Sequence, residues 1–128
     1  MTTSRKSEDP LIHLRDDDHF QSLIHDHEGI LVVKCSATWC RPCQKIALGF
    51  KKWAASEATN THLHFAELDM TLNEELKGVA MQCGVKTIPA FLLFASKGRL
   101  LKMLSTSNLE MVKEEASAGN QKDTYGCL

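Results

Sequence analysis

The apolar positions of this chain switch repeatedly between a strand-like and a helix-like spacing. Leu11 to Leu14 reads as a short first strand, and Asp17 then offers an N-cap for a helix carrying Phe20, Leu23, Ile24 and His27 at helical spacing. Gly29, which takes positive φ without penalty, is the expected stop. Ile30-Leu31-Val32-Val33 is a continuous β-prone run, the pattern of a strand buried on both faces, and is the expected central strand. Ile46, Phe50, Trp53 and Ala54 then recur at helical spacing to about Ala58, and Thr59-Asn60-Thr61 closes that helix. Leu63, Phe65 and the run Ala66 to Leu68 predict another strand. Asn73 is placed to cap a helix with Leu76, Val79 and Ala80 on one face. Ala90 to Ala95 and Arg99 to Leu104 flank Ser96-Lys97-Gly98, a hairpin with a glycine turn. Leu109, Val112 and Ala116 predict a last helix ending near Gly119.

The order βαβαβαββα predicts an α/β fold. Strand–helix–strand units imply parallel strands, the terminal hairpin adds an antiparallel one, and helices cover both faces of the mixed sheet. The polar, aperiodic residues 1–10 read as a flexible leader, 11–118 as one domain and 119–128 as a flexible tail.

Composition changes this picture little. The chain has 128 residues, 43% hydrophobic and 24% charged, enough to bury a core without staples. A net charge of -1 gives no broad basic field for phosphate backbones, so no nucleic-acid partner is expected. The longest apolar runs, Ile30 to Val33 and Ile88 to Ala95, fall far short of the ~20 residues of a membrane-spanning helix, so no membrane partner is expected. Arg5 and Lys6 are not followed by an apolar segment of the secretory type, and the expected location is cytoplasmic. The five cysteines, Cys35, Cys40, Cys43, Cys83 and Cys127, are odd in number and lack framework spacing, which argues against structural disulfides.

The chemistry concentrates at Trp39-Cys40-Arg41-Pro42-Cys43, between the central strand and the long helix. Two thiols three apart can close a tight disulfide ring, and a strand-to-helix turn places Cys40 at the exposed helix N-terminus. There, unpaired backbone N–H groups and the positive end of the helix dipole favour a thiolate, by about 0.3–1 kcal/mol at an exposed site. Arg41 adds a positive charge, and Pro42 fits the first turn, where its missing N–H loses no hydrogen bond. Cys40 is therefore the expected nucleophile and Cys43, one turn deeper, the expected resolving thiol. A Cys-X-X-Cys pair is also half of a zinc site, but no second ligand pair stands at matching spacing and the six histidines form no defensible ligand set, so no metal is expected. The cycle requires no cofactor beyond the Cys40–Cys43 disulfide itself.

The run from Ile30 to Cys43 resembles the strand and active-site turn of the thioredoxin family, and Thr87-Ile88-Pro89 before an apolar strand is similar to that family's cis-proline segment. The two motifs stand in family order, and the resemblance spans about residues 11–118. It implies a thioredoxin fold, Trp39 as an apolar plate beside the thiols, and Pro89 as a cis-proline facing them. A cis bond there would hold the Ile88 backbone where an extended substrate segment could pair with it. The implied activity is reduction of protein disulfides by a monomer that a thioredoxin-reductase-like donor recharges.

Four positions depart from the family pattern. Lys34 stands where a buried Asp usually lies beneath the resolving cysteine, Arg41 where Gly usually separates the cysteines, Thr106 at the expected place of a glycine, and Leu48 at that of a helix-kinking proline. Lys34, if uncharged, is a base for Cys43; if charged, it stabilises a thiolate there; alternatively its stem packs while its amine reaches solvent. With Arg41, it leads to the expectation of a more oxidising couple. A dedicated redox partner of that kind, or a binding module that uses Trp39 and Ile88 with little turnover, is the alternative function. Cys35 and Cys83 are expected as buried, inert thiols, and Cys127 as an exposed one.

Overall fold

The computed structural model describes residues 9–125, with side chains described as far as Gly119. Its elements are β1 (Ile12–His13), α1 (Asp17–Asp26), β2 (Ile30–Ser36), α2 (Arg41–Ser56), β3 (Leu63–Asp69), α3 (Glu74–Gln82), β4 (Ala90–Ala95), a 3-10 turn (Ser96–Gly98), β5 (Arg99–Ser105) and α4 (Leu109–Tyr125). The five strands form one sheet in the order β1-β3-β2-β4-β5. β1, β3 and β2 run parallel, and β4 and β5 are antiparallel additions, which is the mixed α/β sheet expected.

β2 is buried along its whole length, and its two faces feed two different cores. Leu31, Val33 and Cys35 face a core with Phe20 and Ile24 of α1 and Leu76 and Ala80 of α3. Ile30 and Val32 face the other, built on Phe50 and Trp53 of α2 and Val112 of α4. This two-residue alternation puts Lys34 on the α2 side, with its Nζ 5.7 Å from the centre of the Phe50 ring.

Local signals behave as short-range physics dictates, with two shifts. Asp16, not Asp17, caps α1: its backbone is extended and its carboxylate accepts the His19 N–H at 2.8 Å. Gly29 follows the helix at φ +79, and a Cβ there would collide with the His62 backbone, so the position admits only glycine. α4 passes through Gly119 and ends at Tyr125. A Cβ on Gly119 would stand 3.3 Å from Leu101, so this glycine permits close packing on the sheet and does not stop the helix. Asn73 caps α3 as expected, accepting the Leu76 N–H at 2.9 Å. Asn108 caps α4 by accepting the Glu110 and Met111 N–H groups, and the neighbouring Thr106 hydroxyl accepts from the Asn108 N–H. α2 is unbroken past Leu48, which is exposed. Residues 1–8 of the expected leader, and Cys127, lie outside the described residues. Among the described residues, no helix is long and apolar enough to cross a membrane.

Candidate active site

The end of β2 and the start of α2 form one continuous turn. The Cys40 N–H donates to the Ala37 carbonyl at 3.1 Å, and Cys40 then serves as the N-cap of α2. Its Sγ accepts the Cys43 N–H at 3.2 Å, so a helix-start donor that would otherwise lack a partner points at this sulfur. Cys40 and Cys43 are joined in a disulfide, with Cα atoms 5.3 Å apart. No acidic side chain lies in the first turn of α2, so the positive end of its dipole is left for the sulfur. The Gln44 side chain donates to the Thr38 carbonyl at 2.7 Å and ties the helix back to the turn. Arg41 and Pro42 face solvent.

Burial corrects the expected exposure of the first cysteine. Cys40 is only 4% exposed and Cys43 2%, because the closed ring lies over the first turn and Ile88 packs against it. The exposed group is Trp39, at 71%, so this tryptophan is not a core residue. The Ile88–Pro89 peptide is cis, as the resemblance implies, with Pro89 buried and Thr87 exposed at the surface.

A cavity of about 270 Å³ opens behind the disulfide, lined by Cys43, Gln44, Lys34, Ser36, Glu67 and Asp69 among others. Lys34 is 1% exposed, so its amine does not reach bulk solvent. It pairs with the Glu67 carboxylate, Nζ to Oε2 at 3.3 Å, and the Ser36 hydroxyl donates to the same oxygen at 3.2 Å. The expectation of a more oxidising couple rested on two uncompensated cations, Lys34 and Arg41. One of them is neutralised by a carboxylate on the adjacent strand, and that expectation is not favoured. Glu67 was not anticipated from the chain. Its signal is an acid in the otherwise apolar run Phe65 to Leu68, directly opposite Lys34 in the parallel register.

Among the described residues, Cys35 and Cys83 are free thiols and belong to the core on the other face of the sheet, not to the cluster around the disulfide. Burial pushes the Cys35 thiol far above its ordinary 9.0, and the nearby Cys83 adds to the effect. Cys83 is also raised by burial. Among the described residues, no three His, Cys, Asp or Glu side chains group to hold a metal.

The family model described as Thioredoxin matches residues 11–117, nearly the whole described fold. The chain belongs to the thioredoxin family. Among relatives, it is 36% identical over 75 residues to thioredoxin Asp f 29 of Aspergillus fumigatus, covering 59% of this chain and 64% of that protein. It is 32% identical over 114 residues to thioredoxin-like protein 1 of Schizosaccharomyces pombe, covering 89% of this chain and 37% of that protein. In both, the match spans less than two thirds of the relative's own length. A thioredoxin-fold neighbour from the solved complex of ferredoxin:thioredoxin reductase with thioredoxin f2 superposes with a TM-score of 0.72 at 21% identity, covering 86% of this chain and 96% of that one.

Proposed function

We propose that this thioredoxin-family chain is a thiol-disulfide oxidoreductase that reduces protein disulfides by cycling Cys40 and Cys43 between dithiol and disulfide. The observation that carries the reading is the disulfide across the first turn of α2, with the Cys43 N–H aimed at Cys40 Sγ. In the reduced protein that donor and the helix dipole stabilise a thiolate on Cys40, next to the exposed Trp39 surface.

The Cys40 thiolate attacks one sulfur of the client disulfide. A Cys40–client bond forms, the client S–S bond breaks, and the first client sulfur leaves and takes a proton. Cys43 then loses its proton and attacks Cys40 Sγ, which releases the second client sulfur and closes the Cys40–Cys43 disulfide. Two electrons and two protons pass to the client, with no cofactor. A thioredoxin-reductase-like donor returns the dithiol, a role supported by the neighbour solved with its reductase. The unpaired Cys35 and Cys83 support a reducing, cytoplasmic setting.

A binding module with little turnover has no use for a closable dithiol at a helix N-terminus. Turnover of a model protein disulfide with a supplied electron donor tests the assignment. Wild type is expected to turn over many times and Cys40→Ser not at all. A wild type as inert as Cys40→Ser refutes the reading.

A further inference from the structure

We propose that the groove beside Trp39 selects client segments that carry an apolar side chain and a carboxylate close to the cystine to be reduced. The proposal rests on the redox reading above and specifies the clients of the same site.

The groove has a volume of about 210 Å³. Trp39, Met70, Val85 and Ile88 supply its apolar surface, and Lys77 and Lys86 belong to the same lining. Ile88 also packs against Cys40 and Cys43, so an apolar side chain held in the groove lies next to the disulfide. A tryptophan as exposed as Trp39 is a large apolar surface that a partner would cover.

The two charged residues of its lining are both cations. Lys77 and Lys86 are exposed, and neither ammonium has an ion-pair partner among the described residues. Among the described residues, the nearby acids form no ion pair with either lysine. The Asp69 carboxylate is engaged by Thr71, accepting its N–H at 2.8 Å and its hydroxyl. Glu75 accepts the Asp17 N–H at 3.0 Å. Glu74, one turn before Lys77 and exposed, makes no ion pair with it. Arg41, exposed and next to Cys40 in the chain, adds a further cation. A client carboxylate therefore meets positive charge near the reacting sulfur, whereas a lysine-bearing segment is repelled.

The test compares disulfide-bonded peptides of one sequence whose positions flanking the cystine carry Asp, Ser or Lys, reduced by the dithiol form of the whole protein. The neutral compound hydroxyethyl disulfide reports the bare exchange chemistry. At low salt the Asp peptide is expected to react about tenfold faster than the Lys peptide, through the association rate. That ratio should shrink towards one in 0.5 M salt and in the Lys77→Ser/Lys86→Ser double variant, with each protein serving as its own reference. Equal rates for the three peptides, with hydroxyethyl disulfide reduced normally, overturn the selectivity and leave the redox reading intact. Failure to reduce hydroxyethyl disulfide overturns both.

Discussion

Lys34 and Glu67 face each other across the parallel β2–β3 pair, with the lysine Nζ 3.3 Å from the glutamate Oε2. Lys34 is almost wholly buried and Glu67 is a quarter exposed, so the two members of the pair do not tolerate loss equally. Glu67→Gln leaves a buried ammonium without its counter-charge. It is expected to destabilise the fold by about 2–3 kcal/mol, somewhat less than for a fully buried pair. Lys34→Met leaves a carboxylate that still has water and the Ser36 hydroxyl, and should cost less. Urea unfolding of the oxidised variants checks the order, and a Lys34→Met protein less stable than Glu67→Gln contradicts it.

The same pair sets the field at the deeper thiol. Lys34, Glu67 and Asp69 line the cavity that Cys43 also lines. In the reduced protein, removing the ammonium leaves Cys43 facing only carboxylates, so Lys34→Met should raise its thiol pKa. Removing the Glu67 charge leaves the ammonium dominant, so Glu67→Gln should lower it. Thiolate absorbance followed against pH in a Cys40→Ser background reads both shifts. Equal shifts of the same sign would show that the pair does not act on Cys43 through its charge.

Burial of Cys35 makes stability depend on pH in the alkaline range. Its folded thiol titrates far above the ordinary 9.0, so the folded state keeps a proton that the unfolded chain gives up. The contribution is complete below that ordinary value and is lost progressively as pH rises above it. Wild type should lose stability between about pH 9 and pH 11 more steeply than Cys35→Ala, whatever their difference at neutral pH. Parallel curves contradict this assignment.

Trp39 is expected to matter for clients and not for folding, because 71% of its surface is free. Trp39→Ala should change unfolding free energy by no more than about 0.5 kcal/mol, as for an exposed surface substitution. It should also raise KM for a protein disulfide several-fold. A loss of stability beyond about 2 kcal/mol would mean that the ring belongs to the core.

The elements nearest the disulfide were the most legible in the chain, because strong local signals agree there. Ile30 to Val33 is too apolar for anything but a buried strand, and the Cys-Arg-Pro-Cys segment combines a helix-start proline with a disulfide spacing. The cap of α1 was displaced by one residue because Asp16 and Asp17 have the same side chain, and only the backbone distinguishes the capping residue from the first helical one. The end of α4 was missed because a glycine that permits close approach to Leu101 looks the same in sequence as one that stops a helix. Lys34 was visible as an anomaly, whereas its partner was not. Glu67 lies a helix and a crossover away, and their contact depends on parallel register, which no local pattern specifies. The lysines of the Trp39 groove were hidden for the same reason, since Lys77 comes from α3 and Lys86 from the segment before Pro89.

The most direct test of the redox cycle is covalent capture. Reduced Cys43→Ser protein is mixed with a model protein disulfide, and the adduct is mapped by mass spectrometry, with Cys40→Ser treated in parallel. The proposed cycle predicts a stable mixed disulfide on Cys40 in the first protein and little or none on Cys43 in the second. Equal capture on Cys43, or none on Cys40, contradicts the assignment of Cys40 as the attacking thiol.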